Sequence, residues 1–285
     1  MKLEGKRAVV TGASQGLGRV IAETLLNEGA SVLICARGSA GLEEARGALE
    51  RAHPGRVFAM PCDVAREQDL DALAARAAQL FDSVDILVCN AGVHGPKGPL
   101  ETADWAGWVH AIQVNLLGTA YACRVFLPLL RKSKRGKILM LSGGGATKGR
   151  PFFSAYAAAK AANVRIAETL AEEVAADGID VNAIAPGAMN TRLMEDIVAA
   201  GPEAAGQAEW AAAVKLQKTG GTPPELAARL CVYLASEEGD GVTGRLLSAQ
   251  WDPWERLAEF KEELARTDVY TLRRIVPKER GKGWE

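Results

Sequence analysis

The sequence predicts a doubly wound α/β fold with a seven-stranded parallel sheet, on three observations. Short β-branched runs alternate with longer Ala-rich stretches of 3.6-residue period from the N-terminus almost to residue 250. Most of the short runs are apolar throughout, as strands are when helices cover both faces of a sheet. A glycine-rich turn also lies directly between the first strand-like run and the first helical one.

In chain order the strands are expected at residues 7–11, 31–36, 56–60, 84–90, 136–142, 179–184 and 244–248. Helices are expected between them at 17–28, 40–52, 66–81, 104–131, 154–177 and 224–236. No linker divides the chain before residue 250, so residues 1–252 read as one domain. The rhythm breaks over 189–224, where small and polar residues, the pairs Gly201-Pro202 and Gly220-Gly221, and a short helical stretch at 203–217 replace a brief connection. A long insertion over the carboxyl ends of strands is usually functional, and this one reads as a substrate loop. Residues 253–285 form an extension. From residue 252 on, 16 of 34 residues are charged, in balanced numbers, with Trp254, Phe260, Tyr270 and Trp284 interleaved. A helix at about 254–267 and a docking tail are expected there.

Charge and cysteine usage exclude several classes. Lys plus Arg number 34 and Asp plus Glu 35, a net charge of -1, so no global field draws the chain to nucleic acid or an anionic membrane. The cation-rich segment 131–137 follows a predicted helix, whose dipole cations complement there, and is expected to be a solvated helix end. Cys35, Cys62, Cys89, Cys123 and Cys231 include no C-x-x-C pair, which suits buried reduced thiols rather than a disulfide framework or a metal site. The N-terminal residues lack a signal-peptide core, and no run of about 18 apolar residues occurs. A cytoplasmic setting is expected.

Residues 11–18 read TGASQGLG. Glycines at Gly12, Gly16 and Gly18 let such a turn take positive φ and bring backbone N–H groups to a pyrophosphate at a helix N-terminus. At the end of the second strand, Ala36-Arg37 stands where an acidic residue would bond the ribose hydroxyls of NAD. The missing carboxylate and the adjacent guanidinium favour NADP, with NAD as the alternative.

The T-G-x-x-x-G-x-G spacing resembles the short-chain dehydrogenase/reductase family. Four further matches extend the resemblance over residues 5 to about 250: Cys62-Asp-Val64, Asn90-Ala91-Gly92, Tyr156-x-x-x-Lys160, and Pro186-Gly187 running on to Thr191. The resemblance implies a Rossmann-type sheet of order 3-2-1-4-5-6-7. It implies cofactor contacts at Gly12, Ser14, Gln15, Gly16, Leu17, Gly18 and Arg37. It implies further ones at Asp63 and Val64 near the adenine, at Asn90, Ala91 and Gly92, and at Pro186, Gly187, Met189 and Thr191 near the nicotinamide. Taken singly, Asp63 reads equally as a helix cap and Pro186-Gly187 as a turn. Pairing of the long helices 104–131 and 154–177 across subunits, giving a homodimer or homotetramer, is implied as well.

Tyr156 and Lys160 lie one helical turn apart and share a face. A tyrosine of pKa near 10 is a poor acid or base at neutral pH, and an adjacent cation is expected to lower it. The resemblance makes Tyr156 the proton donor and acceptor during hydride transfer between nicotinamide and a carbonyl or alcohol carbon. It makes Lys160 its partner and Asn115 the relay residue. The family's substrate-polarising serine lies thirteen residues before the tyrosine, which here is Gly143. Either a one-residue insertion lets Ser142 take that role, or the hydroxyl is missing and the N–H groups of residues 143–145, or Ser154, replace it.

Residues expected to face the substrate are His94, Arg150, Phe152, Phe153, Met189, Arg192, Met194, Trp210 and Trp251. His94 reads as a loop hydrogen-bonder. The mixture suits a polar, sugar- or polyol-like substrate. The alternatives are a 3-oxoacyl thioester reductase and a nucleotide-binding sensor or scaffold without turnover, which Gly143 favours.

Overall fold

The computed structural model describes residues 1–284. Its strands are β1 (Arg7–Thr11), β2 (Ser31–Ala36), β3 (Val57–Pro61), β4 (Ile86–Cys89), β5 (Lys137–Leu141), β6 (Asp180–Ala185) and β7 (Arg245–Ser248). All pair in parallel in the order β3-β2-β1-β4-β5-β6-β7, as the sequence predicts. Because successive side chains point to opposite faces, Ala8, Val10, Val32, Ile34, Ile86 and Val88 enter one core. That core packs on α1 (Gly16–Asn27), α2 (Ser39–Ala52) and α9 (Pro224–Ala235). Val9, Leu33, Leu87 and Cys89 enter the opposite core, under α3 (Glu67–Phe81), α5 (Gly118–Leu130) and α6 (Ser154–Glu173). All five cysteines are buried and unpaired by disulfides.

The direction of strand progression reverses between β1 and β4. At such a switch point the connections leave to opposite sides and open a crevice at the carboxyl ends of the strands. The glycine-rich turn after β1 and Asn90 after β4 border that crevice.

Four elements differ from expectation. The helix expected at 104–131 is α4 (Trp105–Ile112), a π-helical turn (Gln113–Leu117) and α5. The chain remains helical through the turn, but the wider winding leaves the Asn115 carbonyl to accept from Thr119 Oγ1 at 2.9 Å and Asn163 Nδ2 at 2.9 Å. The insertion holds α7 (Arg192–Ala205), itself kinked where Gly201 (φ 76°) leaves the helical region before Pro202, and α8 (Gln207–Thr219), rather than one helix at 203–217. They are separated at Gly206, whose φ of 80° ends the first. In the extension, a 3-10 turn (Trp254–Phe260) precedes the short α10 (Lys261–Arg266).

The cation-rich segment is the fourth correction. Arg131 pairs with Asp177, but Lys137 is buried between Asp180 at 2.8 Å and Asp240 at 2.6 Å, and Arg135 also bonds Asp180. Lys137 opens β5, so the sheet carries it inside, where only close carboxylates make a buried ammonium tolerable.

The extension docks on its own chain. The Leu246 N–H donates to Tyr270 O at 2.8 Å, so the tail covers the outer edge of β7. The Arg245 guanidinium donates to Thr267 O and Val269 O at 2.9 Å each, and to Leu264 O. The Leu272 N–H donates to Glu168 Oε1 at 2.6 Å, and Trp254 is buried with its Nε1 donating to Ala249 O at 3.0 Å. Phe260 and Trp284 are exposed. Since a charged donor contributes roughly 1.5–3 kcal/mol per hydrogen bond, Arg245→Ala is expected to release this tail. Tryptic digestion followed by mass spectrometry should then cut within 255–282 well before the domain, while wild type loses both together.

Candidate active site

The crevice is built from backbone outward. Thr11 closes β1 with its Oγ1 accepting the N–H groups of Asn90 at 3.0 Å and Ala91 at 3.1 Å. Asn90 returns the contact, its Nδ2 donating to Thr11 O at 2.9 Å and Gly12 O at 3.0 Å. Two glycines of the turn serve different ends. Gly16 has φ 56° and open space around it, so its need is conformational. Gly18 has an ordinary φ, but a Cβ there would stand 2.4 Å from Asn90 Nδ2 and 2.4 Å from Gly12 O. Leu17 is buried beneath, while Ser14, Gln15 and Gly16 face outward.

No side chain caps α1, and its first turn holds no acidic residue. Its leading N–H groups are therefore left without a capping side chain at the edge of the crevice, a set that fits the pyrophosphate of a dinucleotide. Arg37, at the end of β2, is exposed and makes no ion pair among the described residues. Asp63 Oδ1 accepts the Ala65 N–H at 3.1 Å and the Asp63 N–H donates to Asp69 Oδ2 at 2.9 Å, so Asp63 also shapes the turn into α3. Val64 is buried against Gly118.

Tyr156 and Lys160 stand on the first turns of α6, both buried. Lys160 Nζ donates to Leu141 O at 2.6 Å and lies 5.6 Å from the centre of the Tyr156 ring. Gly92 permits this approach, since a Cβ there would meet Asn115 Oδ1 at 2.9 Å and Lys160 Nζ at 3.6 Å. Asn115 itself grips Val93, accepting its N–H at 2.9 Å and donating to its carbonyl at 2.7 Å. The residues following Gly92 are thereby fixed beside Tyr156.

Electrostatics depart from expectation. Burial raises the Tyr156 pKa above its ordinary value, and the cation opposing that rise is Arg150, 5.5 Å from the ring, rather than Lys160. Burial also lowers Lys160, to about 8. The physical reason is geometric: the Lys160 ammonium is turned toward the Leu141 carbonyl, and both groups are stripped of water.

Gly143 and Ser142 part company. Ser142 is buried with its Oγ donating to Lys160 O at 3.4 Å. A Cβ on Gly143 would lie 2.7 Å from Tyr156 Oη, so Gly143 is the residue facing the tyrosine hydroxyl. The geometry does not supply the insertion that would bring Ser142 there. Ser154 Oγ accepts from Trp108 Nε1 at 3.0 Å.

The insertion covers this centre. Phe153 and Tyr156 pack with Ile197, Ala205 and Ala213, with Phe152, Met194 and Trp210 around them. Arg150 joins Glu209 of α8 at 2.7 Å and lies over the Phe153 ring at 4.2 Å. His94 is buried edge-on to Tyr156, with ring centres 4.9 Å apart. Other expected substrate-facing residues lie elsewhere. Met189 bridges to Gly221 and packs toward the α1/α9 core, Arg192 is exposed, and Trp251 is 78% exposed after β7. Gly187, φ 91°, turns tightly against Thr222 after Pro186, and Thr191 precedes α7. The π-turn and the Arg150–Glu209 tie have no signature in the sequence, whereas Thr11 was visible as the first residue of the glycine-rich motif.

A doubly wound sheet with a glycine-rich turn at its switch point, and a Tyr/Lys pair at the same crevice, defines a nucleotide-dependent oxidoreductase. Residues 6–201 match the family model for short chain dehydrogenases. Among curated proteins, the L-fucose dehydrogenase of Oryctolagus cuniculus is 38% identical over 234 residues, covering 82% of this chain and 80% of that one. The cis-4-hydroxycyclohexanecarboxylate dehydrogenase of Sinomonas cyclohexanicum is 35% identical over 241 residues, 85% of this chain and 93% of that one. Among solved structures, an NADP active-site complex of Pseudomonas aeruginosa RhlG superposes with a TM-score of 0.76 at 32% identity, covering 87% of this chain and 95% of that one. The chain belongs to the short-chain dehydrogenase family.

The Gly18 contacts make a steric prediction. Gly18→Ala should push the turn off Asn90 and weaken binding of NADP or NADPH at least about tenfold, since a displaced helix N-terminus loses its aligned donors. Fluorescence titration with each nucleotide is the check; unchanged affinity would remove Gly18 from the site.

Proposed function

We propose that the protein is an NADP-dependent alcohol dehydrogenase or carbonyl reductase acting on a polar, sugar- or polyol-like substrate. Residues 1–252 are its catalytic domain and 253–285 an extension. The observation carrying this reading is the convergence of Tyr156, Lys160 and Asn115 on the crevice that the free amides of α1 also face.

The dinucleotide, when bound, supplies or accepts the hydride. Residues 12–18 hold its pyrophosphate, Asp63 and Val64 border its adenine, and Asn90, Ala91 and Gly92 shape the wall between. Pro186, Gly187, Met189 and Thr191 border the nicotinamide end, and Arg37 with the N-terminus of α2 receives a 2′-phosphate. Tyr156 holds the proton given to a carbonyl oxygen or takes the one leaving an alcohol. Lys160 supplies positive charge behind it, and Asn115 positions the segment between Gly92 and His94. Ser142 acts through the Lys160 backbone. The insertion excludes water while the proton moves. The relatives that oxidise L-fucose and a hydroxycyclohexane carboxylate support a hydroxylated substrate.

Exposed apolar residues on the α4 face and the turn after it, Trp105, Val109 and Leu117, support a homodimer or homotetramer, and the proposed setting is cytoplasmic. Among the described residues no helix is long and apolar enough to cross a membrane. Gly143 favours a second reading, nucleotide binding without turnover.

Turnover tests separate the two. Tyr156→Phe should cut NADP-linked oxidation of L-fucose and other polyols about 10²–10⁴-fold, the usual share of a positioned acid/base. Binding of nucleotide without turnover in wild type, across a wide panel of alcohols and ketones, would establish the second reading instead. Because burial holds Tyr156 protonated, kcat/KM for alcohol oxidation should climb with pH through the alkaline range as the phenolate forms, while that for ketone reduction should not climb. A pH-independent oxidation profile would count against Tyr156 as the base.

Cofactor choice is tested at Arg37. Arg37→Asp should lower kcat/KM for NADP at least about tenfold and raise that for NAD, because a carboxylate repels the 2′-phosphate and accepts from the ribose hydroxyls. Equal NADP and NAD efficiencies in both proteins would assign the preference elsewhere.

A further inference from the structure

One buried polar atom, on a ring packed edge-on to Tyr156, has no partner. His94 is 6% exposed, and its Nδ1 makes no hydrogen bond. Buried acceptors and donors are nearly always satisfied, and an orphan next to a reaction centre points to a group that arrives. The ring stands edge-on to Tyr156 at 4.9 Å and to Phe153 at 5.4 Å, so its position is set by packing on both sides. Val93, its neighbour in the chain, is clamped by Asn115 at backbone N–H and carbonyl.

The chemistry of that free nitrogen follows from its surroundings. The ring lies beside the Leu193 backbone carbonyl, in the first turn of α7, a neighbour that favours an imidazole N–H over a bare lone pair on the nitrogen facing it. In the tautomer with its proton on Nε2, Nδ1 has a lone pair and no hydrogen and is an acceptor only. Burial and the nearby cations Arg150, Lys97 and Lys160 keep the ring neutral, with its pKa lowered to about 3. With three cations already close, a further cation is disfavoured here by like-charge repulsion, and a carboxylate has no proton to offer. A neutral donor such as a hydroxyl satisfies this nitrogen.

That hydroxyl is not the reacting one. The oxygen that Tyr156 serves is a carbonyl in one redox state and then has no hydrogen to donate. A hydroxyl on the adjacent carbon keeps its hydrogen in both states, and it stands about one hydrogen-bond length from the reacting oxygen. Gly143 faces Tyr156 Oη without a side-chain hydroxyl, while the His94 ring packs edge-on to the same tyrosine.

We propose that His94 Nδ1 accepts a hydrogen bond from a substrate hydroxyl vicinal to the reacting carbon, making the protein selective for 1,2-diols and their α-hydroxyketones. This inference rests on the dehydrogenase reading above and narrows its substrate class. The covering segment takes part, because the same imidazole lies beside Leu193 of α7, so recognition of the vicinal hydroxyl depends on how α7 is seated. His94 is in this sense a specificity residue and takes no proton in the reaction.

The test compares cis-1,2-cyclohexanediol with cyclohexanol, which differ by that one hydroxyl. Wild type should show kcat/KM for the diol at least about tenfold higher, the cost of leaving one buried acceptor unpaired. His94→Phe keeps a ring against Phe153 and Tyr156 without the nitrogens and should bring the ratio near one. His94→Asn, which can present an acceptor oxygen, should retain part of the preference. If His94→Phe does not fold, by circular dichroism, His94→Leu takes its place. A diol preference that survives loss of the acceptor, or its absence in wild type, overturns the proposal. If wild type oxidises neither alcohol, the dehydrogenase reading fails on these probes. Calorimetric titration of NADP-loaded protein with the diol then decides His94 separately. Weaker binding to His94→Phe than to wild type supports it, and equal or undetectable binding to both overturns it.

Discussion

The contact between Asn90 and the turn after β1 is the constraint on which the rest of the molecule depends. The ladder between strands β1 and β4 ends at Val10 and Val88, and beyond it their chains leave in opposite directions, so other contacts must hold the two ends together. Asn90 does so by donating to two successive carbonyls of the turn, while Thr11 accepts two successive N–H groups after β4. Every group of the crevice is referred to that junction. Gly18 must lack a side chain because Asn90 occupies the space, and α1 then begins where its free amides face outward. The segment running from Asn90 through Gly92 to His94 continues from the same clamp to the Tyr156 ring.

The second link is the π-turn. An ordinary α-helix over 104–131 would engage the Asn115 carbonyl in its own ladder. The wider turn releases it to Asn163 of α6 and to Thr119, while the Asn115 side chain holds Val93. Three elements are joined through one residue: the helix leading from β4, the strand-end segment bearing His94, and the helix bearing Tyr156 and Lys160. The expense of local irregularity in a helix is repaid in position, as is common for π-turns at functional sites.

Burial decides the electrostatics of the centre. Under α7 and α8, Tyr156 is held protonated, Lys160 is lowered toward neutrality and His94 is kept uncharged. Desolvation disfavours each charged form, so all three shifts share one cause. The cationic surroundings come chiefly from Arg150, which is itself tied to Glu209 of the covering helix. Covering the site and setting its charge state are thus one structural event.

The sequence by itself determined the sheet, its parallel sense, the glycine-rich turn after β1, the Asn90 segment after β4 and the spacing of Tyr156 and Lys160. These depend on local periods and on glycines whose roles are carried in a few adjacent residues. The extent of the fold was legible for the same reason: both faces of each strand had to be apolar. Tertiary structure alone decided which of Ser142 and Gly143 faces Tyr156. A single step in register moves a side chain from one side of a strand end to the other, and spacing cannot report which. It also decided that Lys137 is buried while Arg131 stays at the surface, that the covering segment forms two helices, and that Trp251 lies away from the crevice. The open nitrogen of His94 belongs with these, since a histidine in a loop becomes an unsatisfied acceptor only when distant segments close around it.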